Sequence, residues 1–174
     1  MNANETEIAR HKTAIRRASY SLPIKCLLRD GLVHTETSVF DYGCGHGQDI
    51  ELLRGSGIRC DGWDPAFRPD GEKTVADVVN LGYVINVIED ARERATAVRS
   101  AWNLSSKLLV VAAQIEFAAP DKEQTRFADG VITSRGTFGL CVRTHNRNYV
   151  SKLVMWCWAE RRPFRRSGHS PNAT

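Results

Sequence analysis

Residues 40–50 read FDYGCGHGQDI, with Gly43, Gly45 and Gly47 at alternate positions between two acids, Asp41 and Asp49. Glycine reaches positive φ without a Cβ penalty and lets backbone amides approach a bound group, so the spacing suits a ligand-wrapping loop between a strand and a helix. The acids decide which ligand. A carboxylate two residues ahead of the first glycine repels a pyrophosphate and attracts an ammonium or sulfonium centre. Asp64 stands 23 residues beyond Asp41, near the spacing of roughly 20 at which an acid accepts hydrogen bonds from a ribose diol. Adenosine with a cationic amino-acid tail, as in S-adenosylmethionine, satisfies these charges better than a dinucleotide does. A nicotinamide-dependent oxidoreductase is correspondingly disfavoured.

Other reactive side chains carry less. His46 is a loop histidine with no assigned role, and Cys44 reads as a small residue tolerated between glycines. Cys141, His145, Cys157 and His169 have irregular spacing, so no metal site is expected. The five cysteines form neither a disulfide framework nor a zinc ribbon by spacing and are expected to be reduced.

The elements that must hold the loop follow from pattern. SVFDY at 38–42 has the β-branched and aromatic content of a buried strand, and QDIELLRGSG reads as a short helix after the glycines. IRCDGWD at 58–64 and DVVNL at 77–81 are the next strands. The sequence EDARERATAVRSAWNLS is a helix capped by Asp90 with Glu93 in a capping-box position, and KLLVVAAQ is a further buried strand. Upstream, residues 5–18 are expected to be weakly amphipathic helix, and SLPIKCLLRDG a second helix capped by Ser21 and stopped by Gly31. This alternation predicts an α/β, Rossmann-like, doubly wound, mostly parallel sheet.

At 174 residues the chain suits one domain. Its apolar runs are too short to span a membrane and its N-terminus has no signal-peptide core, so no membrane partner and a cytoplasmic location are expected. The net charge of +4 is uneven: residues 1–138 carry 17 Lys+Arg against 19 Asp+Glu, residues 139–174 carry 7 against 1. Lys12, Arg16 and Arg17 belong to a second, N-terminal basic cluster that reads either as a solvated face or as phosphate contacts.

D-x-G-x-G-x-G after a strand, an acid ending the second strand, and DVVNLGYVINVIED before a helix and KLLVVAAQ resemble class I S-adenosylmethionine-dependent methyltransferases over residues 38–114. More specifically, HKTAIRRASYSLPIKCLLRDGL, VFDYGCGHGQD, GWDP, ADVVNLGYVINVIED and DGVITSRGTF resemble the methyltransferases associated with DNA phosphorothioation systems, over residues 11–138. The resemblance implies a methyltransferase using S-adenosylmethionine, with DNA and proteins of a phosphorothioation system as partners. It implies that Asp41 lies near the methionine ammonium, that Gly43, Cys44, Gly45 and Gly47 wrap the methionine, and that Asp64 holds the ribose. Leu81 would offer a carbonyl, Asn80 and Tyr83 would face the methyl acceptor, and Lys12, Arg16 and Arg17 would touch DNA. NLGY echoes the N-P-P-Y loop of amino-methylating DNA enzymes with both prolines replaced. The catalytic residues are not identified. The alternative is an inactive DNA-associated module that keeps the fold.

Two departures qualify the likeness. PAFRPDGEKTVA, between Asp64 and Asp77, is too short for the helix and strand such enzymes place there. After Phe138, GLCVRTHNRN leaves the family pattern, which suggests a truncated or frameshifted member. The expected organisation is an N-terminal basic helical segment over 1–36, a Rossmann-like domain over 37–138, and an atypical basic tail over 139–174, disordered beyond Arg161.

Overall fold

The structure is a computed structural model that describes residues 8–114 and 124–140, together with the backbone of 154–160. In chain order the elements are α1 (Leu22–Arg29), β1 (Ser38–Tyr42), α2 (Gln48–Gly55), β2 (Arg59–Trp63), β3 (Ala76–Gly82), α3 (Ala91–Leu104), β4 (Ser105–Gln114), β5 (Thr125–Phe127), β6 (Gly130–Ile132), β7 (Phe138–Leu140) and β8 (Val154–Glu160). The main sheet has the order β2-β1-β3-β4-β8, with the first four strands parallel and β8 antiparallel to β4. β5, β6 and β7 form a separate antiparallel sheet.

Side-chain alternation along the strands explains the two layers. Val39, Val78, Leu108 and Val110 pack with Ile24 and Leu27 of α1 and Ile50 and Leu53 of α2. Phe40, Val79, Leu81 and Leu109 pack on the other face with Ala97 and Ala101 of α3. Helices on both faces make the fold Rossmann-like and doubly wound, as the pattern predicts. Because α1 shares the core of β1 and α2, the packed unit extends into the stretch assigned to an N-terminal segment.

The sheet is shortened where the sequence is short. Residues 64–75 form turns and one isolated bridge between Asp64 and Arg68, leaving β2 as an edge strand. Residues 8–18 differ from expectation: a 3-10 turn at Arg10–Thr13 replaces the helix, and residues 5–7 lie outside the described part. Ile8 and Ile15 alone give too narrow an apolar stripe to hold a helix on the core. Ser21 occupies the N-cap of α1 yet its side chain caps nothing. Pro23 removes one of the two amides an N-cap hydroxyl ordinarily bonds. Asp90 does cap α3, accepting from the amides of Arg92 and Glu93 at 2.6 and 3.0 Å.

β8 comes from the basic tail, and the sequence reading contained no such strand. The expected disorder beyond Arg161 concerns residues outside the described part. Cys26, Cys44 and Cys60 are free thiols. Among the described residues no helix is long and apolar enough to cross a membrane.

Candidate functional site

β1 leads to β2 on one side and β3 lies on the other, so the strand order reverses between β1 and β3. Ligands of open α/β sheets bind at the carboxyl ends of the strands beside such a point. A cleft of about 430 Å³ opens there, lined by the ends of β1, β2 and β3, the glycine loop and the start of α2. Gly43, Gly45 and Gly47 have φ of 79°, 55° and 83°, so the turn itself requires left-handed conformations. The loop is packed from above by the chain's own atoms. A Cβ on Gly43 would collide with Val84, one on Gly47 would lie 2.8 Å from Arg68 Nη1, and one on Gly45 would touch Ala14.

Most of the loop's amides are engaged. Gly43 and Cys44 donate to the Trp63 carbonyl at 2.7 and 3.1 Å, and Gly47 donates to the Cys44 carbonyl at 3.0 Å. Gly45 donates to Asp64 Oδ2 at 2.9 Å, while Asp64 Oδ1 accepts from the amides of Ala66 and Phe67 at 2.9 and 3.1 Å. Asp64 therefore ties the loop to the turn after β2, and about one of a carboxylate's four acceptor positions remains for a ligand. Trp63 lines the same wall with Lys73 Nζ 3.5 Å above its ring.

The floor is acidic. Asp41 and Asn80 are in register on β1 and β3, and Asn80 Nδ2 donates to Asp41 Oδ1 at 2.8 Å. Asp49, at the start of α2, accepts from the Ser21 amide at 2.8 Å. All four residues line the cleft and are at least nine-tenths buried. Ser21 Oγ and Asn80 Oδ1 are buried with no hydrogen-bond partner. The Asp41 carboxyl is pushed up to about 7, first by burial and then by the Asp49 charge, against the pull of the Asn80 bond and Arg17. Burial also raises the Cys44 thiol to about 12, so it is a poor nucleophile at neutral pH.

The remaining expected residues divide. Tyr83 lines the cleft at a φ of 65°, with its amide on the Ala112 carbonyl at 2.7 Å. Asn86 pins the same turn to Gln114 through two hydrogen bonds of 2.9 and 2.8 Å, which is how a non-glycine residue is held there. Leu81 is wholly buried toward α3 and is not part of the cleft wall. Asn80 lines the floor, and its Nδ2 donates to Asp41 while its Oδ1 has no partner. Arg17 lines the cleft, whereas Lys12 and Arg16 are exposed outside it.

The sequence reading missed a strap. Residues 9–17 cross the mouth, with His11, Thr13, Ala14 and Ile15 against the cleft. The Ala9 amide donates to the Gly136 carbonyl at 2.9 Å, and Arg10 donates to Glu89 and Glu93 at 2.6–2.8 Å. Glu89 and Glu93 lie about 80 residues away in the chain and Gly136 farther still, so no local signal marks them. For Ser21 a signal existed: a serine N-cap with proline two residues later.

No family model matches the sequence, and no curated protein matches it. Among the described residues no cluster of His, Cys, Asp and Glu is arranged for a metal ion. The acidic floor fits a ligand that brings a cation better than one that brings a phosphate.

Proposed function

We propose that the chain is an S-adenosylmethionine-dependent methyltransferase of the DNA phosphorothioation-associated kind, acting on DNA or recruited to it. The observation that carries this reading is the floor of the switch-point cleft, where the carboxyls of buried Asp41 and Asp49 stand together at the strand ends. Phosphate is a poor guest for such a floor, and an amino-acid ammonium beside a sulfonium is a good one. When bound, the cofactor supplies an activated methyl group. The residues of this chain hold and orient its ends.

Asp41 faces the ammonium, and Asp64, with its loop contacts kept, accepts from one ribose hydroxyl. Gly43, Cys44, Gly45 and Gly47 shape the methionine wall. Tyr83 and Asn80 line the acceptor side in this reading. In-line displacement at a methyl group depends chiefly on alignment and exclusion of water, which the strap supplies from above. A base inside a duplex must first leave the stack. Exposed Lys12 and Arg16, with Arg17, give salt-sensitive, sequence-blind contact to backbone phosphate.

A second reading, a DNA-associated module without transferase activity, is favoured by the engaged loop amides and by the short 64–75 connection. Calorimetry with S-adenosylmethionine followed by a tritiated-methyl assay on DNA separates the two. Binding with transfer supports the enzyme; binding without transfer, or no binding, overturns the enzyme and leaves the module.

A further inference from the structure

The strap is fastened at both ends and loose between them. At one end the Ala9 amide donates to the Gly136 carbonyl, and Arg10 pairs with Glu89 and Glu93. At the other, the Tyr20 hydroxyl donates to the Leu52 carbonyl at 2.9 Å and the Ser21 amide donates to Asp49 at 2.8 Å. Among the described residues, 15–18 make no hydrogen bond and no ion pair, and Ile15 is 63 % exposed. Such a stretch moves at low cost, because few bonds have to break.

Arg17 belongs to that loose stretch and faces two ways. It lines the cleft together with Asp41 and Asp49, and it is also exposed to solvent beside exposed Arg16. Burial and the Asp49 charge push the Asp41 carboxyl up, and Arg17 pulls against them with no ion pair to hold it there. Burial pushes the Tyr83 hydroxyl up in the same way, again with Arg17 pulling against it. A guanidinium locked in a bidentate pair is committed to that pair. Arg17 is not, so a phosphate arriving from solvent is free to engage it.

We propose that Arg17 is a charge shared between the cofactor cleft and the DNA backbone, so that DNA contact makes the cleft selective for the positively charged methyl donor over its net-neutral product. The inference rests on the reading of the chain as a methyltransferase that meets DNA, and it goes beyond that reading by assigning the link between the two partners to one strap residue. Without DNA, the Arg17 cation stands over the acidic floor and opposes a ligand that brings a net positive charge. A backbone phosphate paired with Arg17 cancels that opposition, and the floor regains its full pull on a cation. S-adenosylhomocysteine, the donor without its methyl group, has lost the sulfonium charge and keeps an ammonium and a carboxylate that balance. It therefore gains little from DNA. By linkage, the donor strengthens DNA binding by the factor by which DNA strengthens donor binding.

The test is calorimetric titration of the full chain with S-adenosylmethionine and with S-adenosylhomocysteine, each alone and with a saturating short DNA duplex, at constant pH and low salt. DNA should tighten S-adenosylmethionine about fivefold and S-adenosylhomocysteine less than about twofold. Arg17→Gln should bind S-adenosylmethionine about fivefold more tightly than wild type without DNA, with little further gain when the duplex is added. Arg17→Lys keeps the charge and should keep the gain. Because Arg17 is exposed and makes no hydrogen bond among the described residues, both variants should melt at the wild-type temperature. Equal gains for the two ligands, no gain for either, a wild-type gain in Arg17→Gln or a lost gain in Arg17→Lys would overturn the shared charge while leaving the cleft a cofactor site. A duplex that does not bind would overturn it together with the DNA contact. Absence of S-adenosylmethionine binding would overturn both this inference and the enzyme reading.

Discussion

Two aspartates at opposite ends of the same pair of strands have opposite fates. Asp77, near the start of β3, accepts from the Ser38 amide at 3.0 Å and from Ser38 Oγ at 3.1 Å, and Lys107 Nζ lies 3.0 Å away. These partners hold its carboxyl down at about 2. Asp41, at the end of β1, has the Asn80 amide and a neighbouring carboxylate, and is pushed up to about 7. The amino edge of the sheet completes its own polar network, and the carboxyl edge does not. An acid left short of partners at the carboxyl edge of such a sheet is a candidate for contact with a ligand.

Replacing Asp41 breaks the contrast most strongly. Its folded pKa lies above the unfolded value, so the folded chain binds the extra proton and wild-type stability falls as pH rises from about 4 through about 7. Asp41→Asn should therefore stabilise by as much as ~4 kcal/mol at pH 8 and by little at pH 4. Urea unfolding at the two pH values checks this. Asn80→Leu removes the donor to Asp41 without a large cavity. It should cost about 1.5–3 kcal/mol at pH 8 and less at pH 5, where the carboxyl is protonated. Asp77→Asn should act with the reverse pH dependence. Its folded pKa is depressed, so its contribution is present above about 4 and is lost as pH falls through about 2. With solvent screening at a part-exposed site, the loss at pH 7 should be about 1–2 kcal/mol. Smallest is Arg10→Ala, since its half-exposed pairs with Glu89 and Glu93 contribute about 1 kcal/mol or less. That loss should shrink with added salt, while hydrogen exchange of residues 9–17 quickens.

The sequence made the sheet legible because its signals are local. SVFDY is β1 residue for residue, the Asp90 cap and apolar face mark α3, and the short PAFRPDGEKTVA stretch announces the missing helix and strand. The glycine loop and the acids at the strand ends were equally visible, and the cleft lies where they point. What escaped depends on distant partners. Arg10 finds two glutamates across the chain, so residues 8–18 become a strap and not a helix. The bond from Asn80 to Asp41 follows from the register of β3 against β1, which no local signal announces. β8 pairs with β4 through backbone bonds that composition does not announce.

The central claim is that the carboxyl edge accepts a cationic adenosyl ligand and not a phosphate-bridged dinucleotide. Calorimetric titration of the wild-type chain at pH 7 with S-adenosylmethionine, beside an identical titration with NADH, tests it most directly. Saturable binding of S-adenosylmethionine with no heat from NADH is the predicted result. Tighter binding of NADH, or no binding of S-adenosylmethionine, would contradict it.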